Sequence, residues 1–299
     1  MVRTWISAML AAGLIMGVTA AGGPAAGIPT IGLAISTLNN PFFVDLRDGA
    51  QAAATKAGVT LIVLDAQNDP ARQASSIEDL IAKKAGVVII NPTDSDAIVP
   101  TVKKLNAAKI PVITVDRAAN GGTVAAHIAS DNVAGGEIAA NYVGDHLNMK
   151  GNVVMLEGIP GSSAARDRGK GFRAGLQKFS GVKIVASQTA DFDRAKGLTV
   201  MENILQAQKK IDAVFAQNDE MALGAVQAIE AAKRNREMFV VGFDAIADAL
   251  KAVREGKMAA TIAQQPKLMG QLAVEAAATV LKGGSVPRFT PVPLRLVTK

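Results

Sequence analysis

The chain alternates. Short apolar runs at 31–35, 60–64, 87–90, 112–115 and 124–128 are separated by segments whose apolar residues recur at helical spacing. The pattern then restarts, with apolar runs at 153–156, 182–187, 213–216, 239–243 and 259–263. Continuous runs of this length read as strands buried on both faces. Their alternation with helices implies parallel sheets joined by right-handed crossovers. Two complete series predict an α/β protein of two similar lobes, each a parallel sheet flanked by helices. One continuous sheet of that many strands would be wide for the class. With 299 residues, 49 % of them hydrophobic, the chain can fill two such cores.

Helix starts carry their own signals. Asn40 reads as an N-cap with Pro41 as first helical residue, and Phe43, Leu46, Ala50, Ala53, Ala54 and Ala57 follow at helical spacing. Asp69-Pro70 opens a second helix, with Ile77, Leu80 and Ile81 on related faces, and Ile98, Val102 and Leu105 mark a third. Asp131 caps one that runs to about His146. Further helices are predicted at 163–179, 194–208, 219–233, 245–255 and 267–281, a loop at 283–287 and an extended tail at 292–297.

The first residues differ in kind. Arg3 is the only charge before Pro24, and 6–18 is apolar apart from Ser7 and small glycines. Small residues follow at Ala20 and Ala21. This is the layout of a secretory signal peptide, expected to span 1–26 with cleavage between Ala20 and Ala26. The apolar run is short for a membrane span and has no basic flank after it. The chain has no cysteine, so it folds without disulfides and offers no thiol for a lipid. An exported, freely soluble protein is expected.

Polar residues gather just after the strands. In the first series these are Asn40, Asp65, Asn91 and Asp94, and the pair Asp116-Arg117. In the second they are Glu157, Asp191-Phe192-Asp193, Gln217-Asn218-Asp219, Asp244 and Gln264. Ligands of open α/β sheets bind beyond the carboxyl ends of the strands. Any one Asp or Asn here can be an N-cap, but Arg117 and Phe192 are not cap residues. Two lobes whose strand ends face each other would make a cleft lined from both sides. Asp116, Arg117, Arg168 and Asp244 would supply both signs of charge, and Asn40, Asn218 and Gln264 amides. Phe42, Phe43 and Phe192 would supply flat apolar faces. A sugar, with hydroxyls that donate and accept around a C–H surface, suits such a cleft.

Other chemistries fit less well. The formal charge of +6 comes from 32 basic and 26 acidic residues, interspersed, with no Lys/Arg run longer than two, so nucleic acid is not an expected partner. Only two histidines occur, His127 and His146, without metal-ligand spacing, and no metal or cofactor is expected. There is no Gly-x4-Gly-Lys-Ser/Thr loop and no Gly-x-Ser-x-Gly elbow. Carboxylate pairs leave a glycosidase as the enzyme alternative. A sugar-responsive repressor would need a DNA-binding domain, and the first 30 residues are too short and apolar to be one.

Longer motifs carry a resemblance. Ser-Thr-Leu-Asn-Asn-Pro-Phe-Phe at 36–43, Asn-Pro-Thr-Asp-Ser-Asp at 91–96, Pro-Val-Ile-Thr-Val-Asp-Arg at 111–117 and His-Ile-Ala-Ser-Asp-Asn at 127–132 are one part of it. Ser-Ala-Ala-Arg-Asp-Arg-Gly at 163–169, Ala-Asp-Phe-Asp-Arg at 190–194, Phe-Ala-Gln-Asn-Asp-Glu-Met-Ala-Leu-Gly at 215–224, Val-Gly-Phe-Asp at 241–244 and Thr-Ile-Ala-Gln at 261–264 are the other. From Thr30 onward the chain resembles the type I periplasmic sugar-binding proteins of ABC importers, and among them the ribose binders.

The resemblance implies a non-enzymatic, monomeric, periplasmic receptor that closes on a sugar, D-ribose first, and presents it to a membrane permease. Another monosaccharide or a furanose-like signalling molecule is the alternative ligand. It implies contacts from Asn40, Phe42, Phe43, Asp116, Arg117, Arg168, Phe192, Asn218, Asp244 and Gln264, and selects Arg168 over the nearby Arg166. It implies three hinge crossings, near 130–131, 263–265 and 287–290. The N-terminal lobe is then 30–130 plus 265–288, and the C-terminal lobe 131–264 plus 289–299. Pro160 and the stretch Ala245-Ile246-Ala247-Asp248 depart from the family pattern and bear on lobe contacts and on docking to a chemotaxis receptor.

Overall fold

The computed structural model describes Met1 and residues 29–299, so the expected export segment lies outside the described residues. The first series is β1 (Thr30–Ile35), α1 (Pro41–Ala57), β2 (Thr60–Asp65), α2 (Pro70–Ala82), β3 (Val87–Ile90), α3 (Val99–Ala107), β4 (Val112–Val115) and β5 (Ala126–Ser130). The second begins with α4 (Asn132–His146), β6 (Lys150–Glu157), α5 (Ser163–Leu176), β7 (Gly181–Thr189) and α6 (Arg194–Ala207). It continues with β8 (Ala213–Ala216), α7 (Asp219–Ala231), β9 (Phe239–Asp244), α8 (Ala247–Arg254) and β10 (Ala260–Ala263). The chain ends with α9 (Pro266–Leu281), β11 (Phe289–Val292) and β12 (Arg295–Thr298).

Two six-stranded sheets result, in the orders β11-β5-β4-β3-β1-β2 and β12-β10-β9-β8-β6-β7. All pairings are parallel except β12 on β10. The central strands are apolar on both faces because helices cover both; every residue of β3, β4 and β8 is buried. Each buried Val, Ile or Leu contributes about 1.5–3 kcal/mol over its exposed state. The α/β architecture of two lobes is as the sequence predicts.

Three crossings join the lobes. The first lies between β5 and α4, the second between β10 and α9, and the third between β11 and β12. The second is instructive, because α9 follows a strand of the second sheet yet packs on α1 and on β3, β4 and β5 of the first. The third crossing needs a correction. Residues 289–292, expected in the C-terminal lobe, form β11 and pair with β5 in the first sheet, Phe289 opposite His127 and Val292 opposite Ser130. The crossing therefore falls between Val292 and Arg295, at Pro293-Leu294. The tail that reads as one extended segment is two strands on two sheets. Pro291 is accommodated because β11 is an edge strand.

Smaller shifts have local causes. β5 starts two residues later than its apolar run, at Ala126, where pairing with Ile113 begins. α8 starts at Ala247 and not Ala245, because Asp244 and Ala245 have φ of 125° and 60°, outside any helix.

The helix pair α4 and α5 brings Arg168 to the cleft, and glycines set its spacing. A Cβ on Gly136 would collide with the Arg168 carbonyl, and one on Gly171 with the Val133 carbonyl. Both obstacles are backbone, which cannot swing aside. Gly171→Ala is therefore expected to lower the thermal midpoint, by an overpacking cost of about 1–3 kcal/mol. A melt followed by circular dichroism checks this; an unchanged midpoint would mean the two helices separate freely.

Candidate functional site

All ten residues singled out in the sequence line one cavity, with Ala164 as an eleventh. Asn40, Phe42, Phe43, Asp116 and Arg117 come from the first lobe, and Arg168, Phe192, Asn218 and Asp244 from the second, with Gln264 at the second crossing.

Helix N-termini place the amides. Asn40 caps α1, its Oδ1 accepting from the Phe42 amide at 2.9 Å. Asn218 caps α7 in the same way, accepting from Met221 at 3.0 Å, and its Nδ2 donates to the Phe192 carbonyl at 3.2 Å. In both, the cap fixes the side chain next to the cavity. Phe42 and Phe43, in the first turn of α1, meet edge to face at 5.1 Å.

Two carboxylate–guanidinium pairs face each other. Asp116 lies 3.6 Å from Arg117 Nε, and Asp244 lies 3.7 Å from Arg168 Nη1, with all four residues buried. These separations are too long for hydrogen bonds, so other groups hold the charges. Asn91 donates to Asp116 at 3.1 Å, and Gln264 Nε2 donates to Asp244 at 2.7 Å. Arg168 donates to Asn132 Oδ1 at 2.8 Å and to the Gln217 carbonyl at 2.6 Å, and Arg117 donates to the Pro92 carbonyl at 3.3 Å. The Arg117 guanidinium also sits between two rings, 5.1 Å from Phe43 and 5.3 Å from Phe192. Among the cavity-lining residues, two buried side-chain atoms are left without a hydrogen-bond partner, Arg117 Nε and Gln264 Oε1. One is a donor and one an acceptor.

Burial lowers the proton affinity of Arg117 and Arg168, which stay charged. Burial also pushes the Asp244 carboxyl up to about 7, against the pull of Arg168. The cause is the full burial of the group.

The backbone is strained where it delivers these groups. Asp116 has φ 63°, Phe192 60° and Asp244 125°, with Asp191 and Ala245 beside them at 52° and 60°. Such residues cost of order 1–3 kcal/mol each and persist where surrounding bonds enforce them. The Asp116 amide donates to the Ile128 carbonyl at 2.8 Å, and the Gln264 amide donates to the Asp244 carbonyl at 3.2 Å.

The lobes touch beside the cavity. The Ser95 amide donates to the Gly161 carbonyl at 2.9 Å, the Ser163 amide to Ser95 Oγ at 3.2 Å, and the Ala118 amide to Ser163 Oγ at 2.9 Å. Arg166, exposed, reaches the Gly161 carbonyl at 3.0 Å and does not line the cavity. Sequence reasoning placed Asn91 and Gln217 at strand ends without seeing what they hold, and it missed Asn132. For Asn91 and Asn132 the signal is a buried amide near a charged residue, which only the fold reveals; Gln217 holds Arg168 with its backbone carbonyl, which no residue type announces.

Two outcomes follow from this geometry. Ala245→Gly removes a side chain from a left-handed residue and is expected to raise stability by about 1 kcal/mol, read as a higher melting midpoint. The second concerns pH. Asp244 binds its proton more tightly folded than unfolded, so between about pH 4 and 7 the folded state carries the extra proton and stability falls as pH rises, by about 1.4 kcal/mol per pH unit while the group titrates. Asp244→Asn should make that slope shallower in ligand-free melts, leaving the part that the buried Asp219 carboxyl, also raised, contributes; a slope as steep as the parent's would assign it elsewhere.

Comparison with known proteins identifies the family. The family model described as periplasmic binding protein domain matches residues 31–285. A ribose import binding protein of Escherichia coli is 53 % identical over 272 residues, covering 90 % of each chain. One of Bacillus subtilis is 50 % identical over 271 residues, covering 90 % of this chain and 87 % of that one. Among solved structures, a Caulobacter myo-inositol binding protein with myo-inositol bound superposes with a TM-score of 0.87 at 36 % identity, over 91 % of this chain and 96 % of that one. An ABC transporter solute-binding protein of Actinobacillus succinogenes with bound D-allose gives 0.85 at 34 % identity, over 90 % and 97 %. On the family model and on these identities, the chain belongs to the periplasmic binding proteins, the non-enzymatic solute receptors of this two-lobed α/β fold.

Proposed function

We propose that this protein captures D-ribose between its lobes and delivers it to the permease of an ABC importer in the membrane. The observation that carries the reading is the cavity in which two buried carboxylate–arginine pairs, three amides and three phenyl rings converge. Its carboxylates, guanidinium groups and amides match a ligand that both donates and accepts. Half-identical relatives from two organisms that are ribose import binding proteins support the same ligand.

In this reading Asp116 and Asp244 accept from sugar hydroxyls, Arg117 and Arg168 donate to their lone pairs, and the rings cover the C–H faces. Asn40, Asn218 and Gln264 complete the polar rim. The lobes are 30–130 with 265–292 and 131–264 with 295–299. The ligand favours the closed form because its contacts come from both lobes. The mature protein works as a monomer in the periplasm after loss of its leader, and the closed form is what a permease, or a chemotaxis receptor, reads. Among the described residues no helix is long and apolar enough to cross a membrane.

A second reading, another monosaccharide or a cyclic polyol, is favoured by the relatives solved with D-allose and myo-inositol. Titration calorimetry of purified, ligand-stripped protein against a sugar panel separates the two. One-to-one micromolar or tighter binding of D-ribose is expected, with allose and inositol weaker. Asp116→Ala and Asp244→Ala should each weaken it about a hundredfold or more, since each leaves a buried guanidinium unpaired. Parent-like affinity in either folded variant would remove that residue from the site.

A further inference from the structure

Asp219 is fully buried at the start of α7, directly after the cap residue Asn218, yet it does not line the cavity. Its Oδ2 accepts from the Ile246 amide at 2.9 Å, and its Oδ1 accepts from the Thr261 hydroxyl at 2.7 Å. The Thr261 oxygen in turn accepts from the Ala245 amide at 3.3 Å. One carboxylate and one hydroxyl therefore tie down the two amides that follow Asp244. Strand β9 is bare where the carboxylate lies, because a Cβ on Gly242 would collide with Asp219 Oδ1.

The tied segment is the strained one. Asp244 and Ala245 both have positive φ, which their side chains disfavour, so without an external hold the turn relaxes and the Asp244 carboxylate swings off its aim. The hold is itself costly. Burial and the charge of nearby Asp244 push the Asp219 carboxyl well above the usual carboxylate range. A buried acid that neither faces the cavity nor merely caps a helix needs a reason to be there.

We propose that Asp219 is a positioning residue for Asp244: with Thr261 it holds the left-handed Asp244–Ala245 turn that aims the Asp244 carboxylate into the cavity. This rests on the reading of the cavity as the sugar site.

The test combines D-ribose calorimetry with thermal melts on the purified protein. Asp219→Ala is expected to weaken D-ribose binding about tenfold or more, equivalent to about 1.4 kcal/mol or more. Thr261→Val should do the same, while Thr261→Ser, which keeps the hydroxyl, should bind like the parent. Adding Ala245→Gly to Asp219→Ala should restore affinity to within about threefold of the parent, because glycine accepts the left-handed turn unaided. A role in general stability would lower the melting midpoint without that selective rescue. Parent-like affinity in folded Asp219→Ala, or no recovery on adding Ala245→Gly, overturns the proposal. Should Asp219→Ala not fold, Thr261→Val with and without Ala245→Gly decides by the same outcomes. Asp244→Ala separates the two levels: if it binds D-ribose like the parent, the site reading fails and the positioning role with it. If it loses binding while Asp219→Ala and Thr261→Val do not, only the positioning role fails.

Discussion

Two opposed charge pairs are buried at one cavity, and most of the local structure answers to that. A carboxylate or guanidinium taken out of water loses several kcal/mol of hydration, and attraction to its partner returns this only where hydrogen bonds satisfy the remaining lone pairs and protons. Here the partners stand 3.6 and 3.7 Å apart, so direct contact does not do it. Asn91, Gln264, Asn132 and the carbonyls of Pro92 and Gln217 do. These bonds satisfy only part of each charged group. In the proposed reading a sugar satisfies the rest, and an analogue that lacks the matching hydroxyl leaves a buried polar atom unpaired, which costs more than the lost bond itself.

The same geometry bears on where some of the charges stand. In a parallel α/β lobe the helices run opposite to the strands, so helix N-termini and strand carboxyl ends share the cleft side. Helix C-termini share the far side. Acids stand at the cleft end, as Asp219 and Glu220 in the first turn of α7 and Asp248 in that of α8. Bases stand at the other end, as Lys56 in α1, Lys104 in α3, Arg173 in α5 and Lys251 and Arg254 in α8. Both placements complement the helix dipole.

What could be read from the sequence is what local physics dictates. Asn40-Pro41 announces a helix start whether or not a ligand exists, and apolar runs announce strands. The ten cavity residues were legible for two reasons: strand ends must gather at one side of such a sheet, and long motifs matched a family. Positive φ at Phe192 and Ala245 was not legible, since neither residue type favours it and only the surrounding bonds enforce it. Asp219 was hidden differently. An acid at the start of a helix needs no explanation beyond the dipole, and its true neighbours, Thr261 and Ile246, are 42 and 27 residues away. The tail failed for a third reason. Strand propensity is the same on either sheet, and nothing in residues 289–298 says that the chain changes lobes midway.

That change of lobe bears on how the protein moves. Hinge motion is absorbed by a few residues at the crossings. The third crossing is the dipeptide Pro293-Leu294, held between β11 on one sheet and β12 on the other. Proline fixes its own φ near −65° ± 15° and biases the residue before it toward extended backbone. Little freedom is left there beyond the ψ angles and Leu294. The second crossing is constrained too, since Gln264 bonds Asp244 through both backbone and side chain and Pro266 follows two residues later. The first, at Ser130-Asp131, has no proline, and Asp131 is tied only as the cap of α4. Opening of the lobes should therefore be a rotation that turns most at Ser130-Asp131. Because Gln264 is both a crossing residue and a cavity wall, the same motion must carry it and the Asp244 carboxylate together.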